Sequence, residues 1–287
     1  MIERLVVVGV GLIGGSFALE CRQRGLAREV VGVGRSAGNL ELARERGLVD
    51  RIAFDLAEAM HGADLVFLAL PVGAMPAAFE GIARGMEEDC LVTDAGSTKQ
   101  DVIAAARAGL GARIGRFVPG HPIAGAEDSG AGAARAGLFA GRDVILTPLP
   151  ENRAEDVARI ERLWTACGAR VTHMLPDAHD QVFAAVSHLP HLAAFALVDD
   201  LIGRPNAEAC FRHAGAGFRD FTRIAASHPE MWRDIALANR TSLLDELDAY
   251  IAKLGEVRDM VDLQDGAALD AMFARARSAR KNWKLHS

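Results

Sequence analysis

Leu5-Val6-Val7-Val8-Gly9-Val10-Gly11-Leu12-Ile13-Gly14-Gly15-Ser16 decides how this chain folds. The opening apolar run suits a short strand buried on both faces. The glycines at 9, 11 and 14 follow at once in the spacing G-x-G-x-x-G. In that spacing the first glycine permits a tight turn, the second lets a pyrophosphate approach the backbone, and the third lets helix and strand pack closely. A helix opening here directs unpaired N–H groups and a positive dipole end at the phosphate. The spacing alone is weak evidence. Its place after a strand and before a helix is the context the motif requires, so Gly9, Gly11, Leu12, Ile13 and Gly14 are expected to cradle a dinucleotide. The alternative is a glycine-rich turn that binds nothing.

Outward from this turn, strands and helices alternate. Phe17 to Arg24 suits a helix closed by Gly25, and Glu29 to Gly34 a second strand. In dinucleotide folds an acidic residue about 20 positions past the glycines binds the ribose 2′-hydroxyl. Here that place holds Gly34-Arg35-Ser36. No carboxylate is present to repel a 2′-phosphate, Arg35 can pair with one through its fork of donors, and Ser36 can add a hydrogen bond. NADP is therefore expected over NAD, with NAD still possible, unless Arg35 is simply a solvated loop residue. Further strands are expected at 63–70, 90–94, 117–119, 143–147 and 169–174, with helices at 40–46, 75–85, 100–108 and 151–167. After Pro176 the pattern changes to helices alone, at 178–186, 190–202, 217–226, 231–254 and 269–281. The expected architecture is α/β: a Rossmann dinucleotide-binding domain over 1–174, then an all-helical domain over 175–287.

Composition narrows the function. Half of the 287 residues are hydrophobic and 24% are charged, with a net charge of −6. That balance suits a globular protein and counts against a nucleic-acid partner. The cysteines, at 21, 90, 167 and 210, form no C-x-x-C pair and read as reduced thiols of a cytoplasmic protein. Met1 leads straight into a strand without a basic n-region, so no signal peptide is expected. No apolar run reaches the ~18 residues of a membrane span, so no membrane partner is expected.

Three stretches can carry chemistry. Asp94-Ala95-Gly96-Ser97-Thr98-Lys99 and Gly120-His121-Pro122-Ile123-Ala124-Gly125 each follow a strand, placing Ser97 and His121 at strand ends of one sheet, with Asp94 as a cofactor contact. A dehydrogenase that takes hydride from a carbon bearing a hydroxyl needs a base for the hydroxyl proton, and histidine suits that task. Ser187-His188-Leu189-Pro190-His191 puts two histidines at the start of a helix, where they can address an anion or a carbonyl. Gly217-Phe218-Arg219-Asp220-Phe221-Thr222-Arg223-Ile224-Ala225 places Arg219 and Arg223 on one helix face, with Arg223 the preferred ligand for a carboxylate and Arg219 auxiliary. In each case the alternative is structural: a core or capping histidine, or an Arg–Asp pair between helices. His173 and His179 lack any metal-ligand context and read as ordinary histidines, so no metal is expected.

These stretches together resemble the prephenate/arogenate (cyclohexadienyl) dehydrogenase family of tyrosine biosynthesis. The resemblance rests on the motifs at 9–16, 94–99, 120–125, 187–191 and 217–225, in the family's order and across most of the chain. It implies a helical domain that builds a homodimer and a small-molecule dicarboxylate substrate. The implied reaction is oxidative decarboxylation of a cyclohexadienol to 4-hydroxyphenylpyruvate or tyrosine. It also implies that His121 draws the hydroxyl proton, that Ser97 positions His121, that Arg223 holds a carboxylate and that His188 contacts the substrate. The family's acidic residue at the end of the second strand is absent, in keeping with NADP. Glu127 can pair with the ammonium of arogenate, or be a solvated loop residue. The competing readings are a related dehydrogenase of β-hydroxy acids or imines, which would use a lysine base, and a non-catalytic dinucleotide sensor.

Overall fold

The computed structural model describes residues 1–125 and 128–283. The main sheet contains β1 (Ile2–Val8), β2 (Ala27–Val33), β3 (Arg51–Ala53), β4 (Leu65–Leu68), β5 (Leu91–Asp94) and β6 (Phe117–Val118). All pairs are parallel and the order is β3-β2-β1-β4-β5-β6. This is the doubly wound Rossmann order, whose ligand crevice opens where the winding reverses, between β1 and β4. Helices α1 (Leu12–Gln23), α2 (Ala37–Glu45), α3 (Leu56–Ala59), α4 (Met75–Gly85) and α5 (Gln100–Leu110) connect the strands.

The strands are apolar along their whole length because both faces of the sheet are covered. Leu5 and Val7 join a core with Phe17, Phe67 and Trp164, whose rings pack with centroids 4.2 Å (Phe17–Phe67) and 4.7 Å (Phe17–Trp164) apart. Val6 and Val8 face the opposite core, which holds Phe79 and Phe117 and takes in Trp232 and Ile235 from the helical part of the chain. The helical part is thus packed onto the sheet through shared apolar surface.

A second sheet departs from the sequence expectation. β7 (Gly120–Pro122) pairs antiparallel with β8 (Asp143–Leu146), and β8 pairs parallel with β9 (Arg170–His173), with α6 (Ala154–Ala166) between β8 and β9. Pro119 explains the split. It has no N–H to donate, so the ladder that pairs Val118 with Thr93 stops there. Its carbonyl instead accepts from the Thr147 N–H at 3.0 Å. His121 therefore lies inside β7, on a different sheet from the strand that leads to Ser97. A buried ion pair joins the two sheets. Lys99 Nζ donates to Asp94 Oδ2 and to the Gly120 carbonyl, both at 2.6 Å, and both side chains are fully buried. Asp94 Oδ1 accepts the Gly120 N–H at 2.9 Å.

From Pro176 on, the described chain is helical. α7 (Pro176–Phe183), a π turn (Ala184–His188) and α8 (Leu189–Ile202) form one continuous helix of 27 residues, where the sequence suggests two. Pro190 was expected to open the second helix. Instead, its missing N–H and bulky ring are absorbed by the wider π turn just before it. The His191 imidazole satisfies the Ser187 carbonyl, with Nδ1 donating at 2.8 Å. The remaining helices are α9 (Ala207–Arg212), α10 (Ala216–Thr222), α11 (Pro229–Ala238), α12 (Arg240–Asp262) and α13 (Gly266–Asn282). The helix expected over 231–254 is interrupted at Asn239, whose side chain is drawn to groups on the long helix. Contrary to the expectation that no apolar stretch reaches membrane length, that long helix has the length and apolar composition to cross one, because the π turn joins two segments that read separately in the sequence.

Removing one partner of a buried ion pair strands the other. Lys99→Met is therefore expected to destabilise the fold by about 3–5 kcal/mol. Urea denaturation measures this, and a loss below about 1 kcal/mol, the range of an exposed pair, would show that the pair is not structural.

Candidate active site

The glycine turn has the steric form that a dinucleotide requires. Gly9 sits at φ +91, and a Cβ there would lie 2.3 Å from the Ala69 carbonyl oxygen. A Cβ on Gly14 would lie 2.0 Å from the Gly9 oxygen. These two glycines are demanded by the protein itself. Gly11 differs, because its Cβ would meet nothing nearer than the Gly130 nitrogen at 4.0 Å. The space beside Gly11 is open, and α1 begins there with no side-chain cap and no acidic residue in its first turn. Its first N–H groups are left for a ligand of negative charge. The residues present fit a pyrophosphate.

At the end of β2, Arg35 and Ser36 are exposed. Ser36 caps α2, its Oγ accepting the Asn39 N–H at 3.3 Å. Asn39, which the sequence reading passed over, bridges two segments. Its Nδ2 donates to the Val10 carbonyl and its Oδ1 accepts the Ala131 N–H, both at 2.8 Å. The glycine turn is thereby tied to the segment that follows Gly130.

The chemistry gathers where β7 meets the long helix. His121 Nδ1 lies 2.8 Å from His179 Nε2, and His179 Nδ1 lies 2.9 Å from Asp180 Oδ1. Phe183, one turn beyond His179, packs against both rings. Burial holds the His121 imidazole well below its ordinary pKa, helped by His179, Lys99 and His188 nearby. Burial likewise lowers His179, against the opposing pull of Asp180. The Asp180 carboxylate also caps α5, with Oδ1 accepting the Lys99 N–H at 2.8 Å and Oδ2 the Gln100 N–H at 2.9 Å. Despite its burial, these donors and His179 hold its pKa below the usual carboxylate value.

His188 lies in the π turn, in the interior of the helix and not at a helix start. Asn239 Nδ2 donates to the Asp180 carbonyl at 2.7 Å, which identifies that atom as the amide nitrogen, and it lies 3.0 Å from His188 Nδ1. His188 Nδ1 is therefore an acceptor and its Nε2 carries the proton. Burial pushes this imidazole down to about 4, so it stays neutral near pH 7. Its Nε2 is buried and has no partner among the described residues, and the same holds for Nε1 of Trp232 on α11. Trp232 stacks on His191 with ring centroids 3.6 Å apart. Two buried N–H donors without acceptors in one cluster call for a ligand oxygen.

The other expected residues separate. Ser97 is half-buried, and among the described residues the partner of His121 Nδ1 is His179 Nε2 and not Ser97. The Asp94 carboxylate is fully buried and engaged by Lys99, Gly96 and Gly120, so it serves the protein and has no face toward a cofactor. Arg219 lies on α10, which ends at Thr222, and Arg223 begins the 3-10 turn that follows. Arg219 is exposed and paired with Asp220 at 3.2 Å, while Arg223 lies close enough to His191 to lower its pKa, after the larger effect of burial. Glu127 lies outside the described residues. The sequence reading missed His179, Asp180, Lys99, Asn239 and Trp232. A histidine and an aspartate adjacent in the first turns of a helix that begins at a proline were the available signal for the first two.

A Rossmann sheet whose glycine turn is open to a pyrophosphate is the framework of a dinucleotide-dependent enzyme, and the histidine cluster starts one residue after Gly120, which Asp94 holds at the end of β5. Comparison with known proteins specifies the class. Residues 17–173 match the family model "Prephenate dehydrogenase, nucleotide-binding domain", and residues 175–275 match "Prephenate dehydrogenase, dimerization domain". The chain belongs to the prephenate dehydrogenase family. It is 36% identical to the cyclohexadienyl dehydrogenase of Zymomonas mobilis over 97% of this chain and 95% of that protein. The crystal structure of Aquifex aeolicus prephenate dehydrogenase with hydroxyphenyl propionate and NAD+ superposes with a TM-score of 0.92 at 34% identity, covering 98% of each chain. Synechocystis arogenate dehydrogenase gives 0.82 at 29% identity, covering 98% of this chain and 100% of that one.

The glycine geometry yields a paired expectation. Gly11→Ala should fold with its Tm within about 2 °C of the parent, since no contact is violated, yet bind dinucleotide at least about tenfold more weakly. Gly9→Ala should lose the fold's stability first. Thermal melts and cofactor titration decide it, and unaltered binding by Gly11→Ala would remove the pyrophosphate assignment.

Proposed function

We propose that this protein catalyses the oxidative decarboxylation of prephenate, arogenate or both, giving 4-hydroxyphenylpyruvate or tyrosine in tyrosine biosynthesis. The observation that carries the reading is His121, an imidazole that burial keeps neutral and that bonds to His179, one residue after Gly120, which Asp94 holds at the end of β5, in a chain of this family. When bound, the nicotinamide dinucleotide accepts hydride from the ring carbon that bears the hydroxyl. His121 takes the hydroxyl proton. Its lowered pKa keeps it in the basic form at neutral pH, so activity should persist on the acid side to below the ordinary histidine value of about 6.5. Loss of the ring carboxylate as CO2 then follows from the gain of aromaticity. The buried donors of His188 and Trp232, with Arg223, supply contacts for the oxygens of a dicarboxylate. Ser97, half-buried just after β5, is the proposed contact for cofactor or substrate. Glu127 remains the candidate partner for the ammonium of arogenate.

NADP is the proposed cofactor in preference to NAD. Arg35 and Ser36 are exposed at the end of β2, where the ribose 2′-position falls in this fold, and the strand end Gly34-Arg35-Ser36 carries no carboxylate to oppose a phosphate. The proposed assembly is a cytoplasmic homodimer. The long helix is only 22% buried over its most apolar stretch, and Val186, Ile202, Ile251, Val261 and Phe273 leave large apolar surfaces uncovered. A second copy would cover them, and light scattering should give the mass of two chains, with a single-chain mass overturning the assembly.

An absorbance assay crossing both substrates with both cofactors tests the reading. Turnover with at least one substrate is expected, faster with NADP than with NAD. Equal or better turnover with NAD would remove the Arg35 argument. His121→Asn should lower kcat by about 10²–10⁴ with dinucleotide binding kept. A near-normal kcat would place the base elsewhere.

A further inference from the structure

We propose that His179 and Asp180 form a proton relay behind His121, fixing which ring nitrogen of His121 acts as the base and sharing the proton it takes. The proposal rests on the assignment of His121 as the base. Nothing in the family comparison assigns a role to either residue.

The argument follows the direction of each hydrogen bond. The Lys99 and Gln100 backbone N–H groups can only donate, and they engage both oxygens of Asp180. Asp180 therefore faces His179 as an acceptor, and the bond at 2.9 Å places a proton on His179 Nδ1. In neutral His179, Nε2 is then the acceptor. The 2.8 Å bond from His121 must put the proton on His121 Nδ1. One tautomer of His121 remains, with a lone pair on Nε2. Each bond in the chain determines the next, back to two backbone amides at the start of α5. His188 takes the opposite tautomer through Asn239. The two histidines thus differ in role: His121 Nε2 accepts and His188 Nε2 donates.

The same chain can carry charge. When the substrate O–H bond breaks, its proton joins His121 Nε2. The Nδ1 proton of His121 can then pass to His179 Nε2, and the resulting imidazolium lies against the ionised Asp180. The electron pair of the C–H bond leaves as hydride to the bound cofactor. The pair of the C–COO⁻ bond enters the ring as CO2 departs, and the proton retraces its path to the phenolate oxygen. No net proton is released. The groups facing His121 are His179 on α7, Lys99 before α5 and His188 in the π turn. His179 is faced by Asp180, Lys99 and Asp94. Lys99 disfavours positive charge at both rings, whereas the Asp180 carboxylate favours it at His179 alone. That difference draws the proton toward the inner histidine.

Ring ¹⁵N chemical shifts of the histidine-labelled whole enzyme without substrate test the tautomer directly. The expected result is a protonated Nδ1 on both His121 and His179. A protonated Nε2 on His121 overturns the relay, whatever the activity. Kinetics then test its use. His179→Gln keeps an acceptor for His121 and a donor for Asp180 but cannot take a proton, and should lower kcat about tenfold with KM little changed. His179→Leu removes the acceptor and should lower kcat by about a hundredfold or more, within the range of general-base effects. The acid limb of kcat against pH should move in both variants. Equal losses in the two, or a wild-type pH profile in His179→Leu, would reduce His179 to packing and overturn the relay. If His121→Asn stays active while the ¹⁵N result holds, the base assignment fails and the tautomer chain stands.

Discussion

The buried contact between Lys99 and Asp94 is the constraint on which the site depends. The main sheet ends a strand at Asp94, and the second sheet begins at Gly120. Nothing in the backbone ladder connects them, because Pro119 breaks it. The ammonium of Lys99 bridges the gap by donating to the Asp94 carboxylate and to the Gly120 carbonyl. The residue after Gly120 is His121, so the position of that imidazole is set by an ion pair with no exposed surface. In that environment the charges are shielded little by water, and a change in either partner would be felt at the imidazole.

Asp180 extends the same logic to the helical part. Its carboxylate terminates α5, orients His179 and lies next to the backbone that Asn239 holds. Sheet, connecting helix and long helix thus meet at one acidic residue. The surroundings keep the histidines neutral, and neutral imidazoles can divide into acceptor and donor in a way that imidazoliums cannot. The cluster can therefore offer opposite hydrogen-bonding faces without placing opposite charges there.

What could be read from the sequence was what is locally determined. The glycine turn was legible because the steric demands on Gly9 and Gly14 arise from residues beside them and from the neighbouring strand end. The Rossmann alternation was legible because strands covered on both faces have to be apolar throughout. His121 and His188 stood out because proline and glycine mark their surroundings. His179 carried no such mark. Its meaning lies in a contact with a residue 58 positions away, which no local pattern expresses. The same holds for Asn239, whose helix break comes from partners on another helix, and for Asp94, whose place at a strand end looked like a ligand position but is occupied by Lys99. Pro190 misled in the opposite direction, since a proline that usually opens a helix is here tolerated inside one.

That tolerance has a consequence for how this chain is compared with others. In a regular α-helix, His179 and Phe183 would share their face with residue 187. The π turn holds one residue more than an α turn, and it brings His188 to that face instead. The helix therefore keeps two registers, one before Ala184 and one after His188. A relative that lacks the extra residue would need a single-position gap inside a helix to align correctly. An alignment that refuses such a gap would match the wrong residue to His188, and deleting one residue here would rotate the following turns by about 100° while leaving their composition intact.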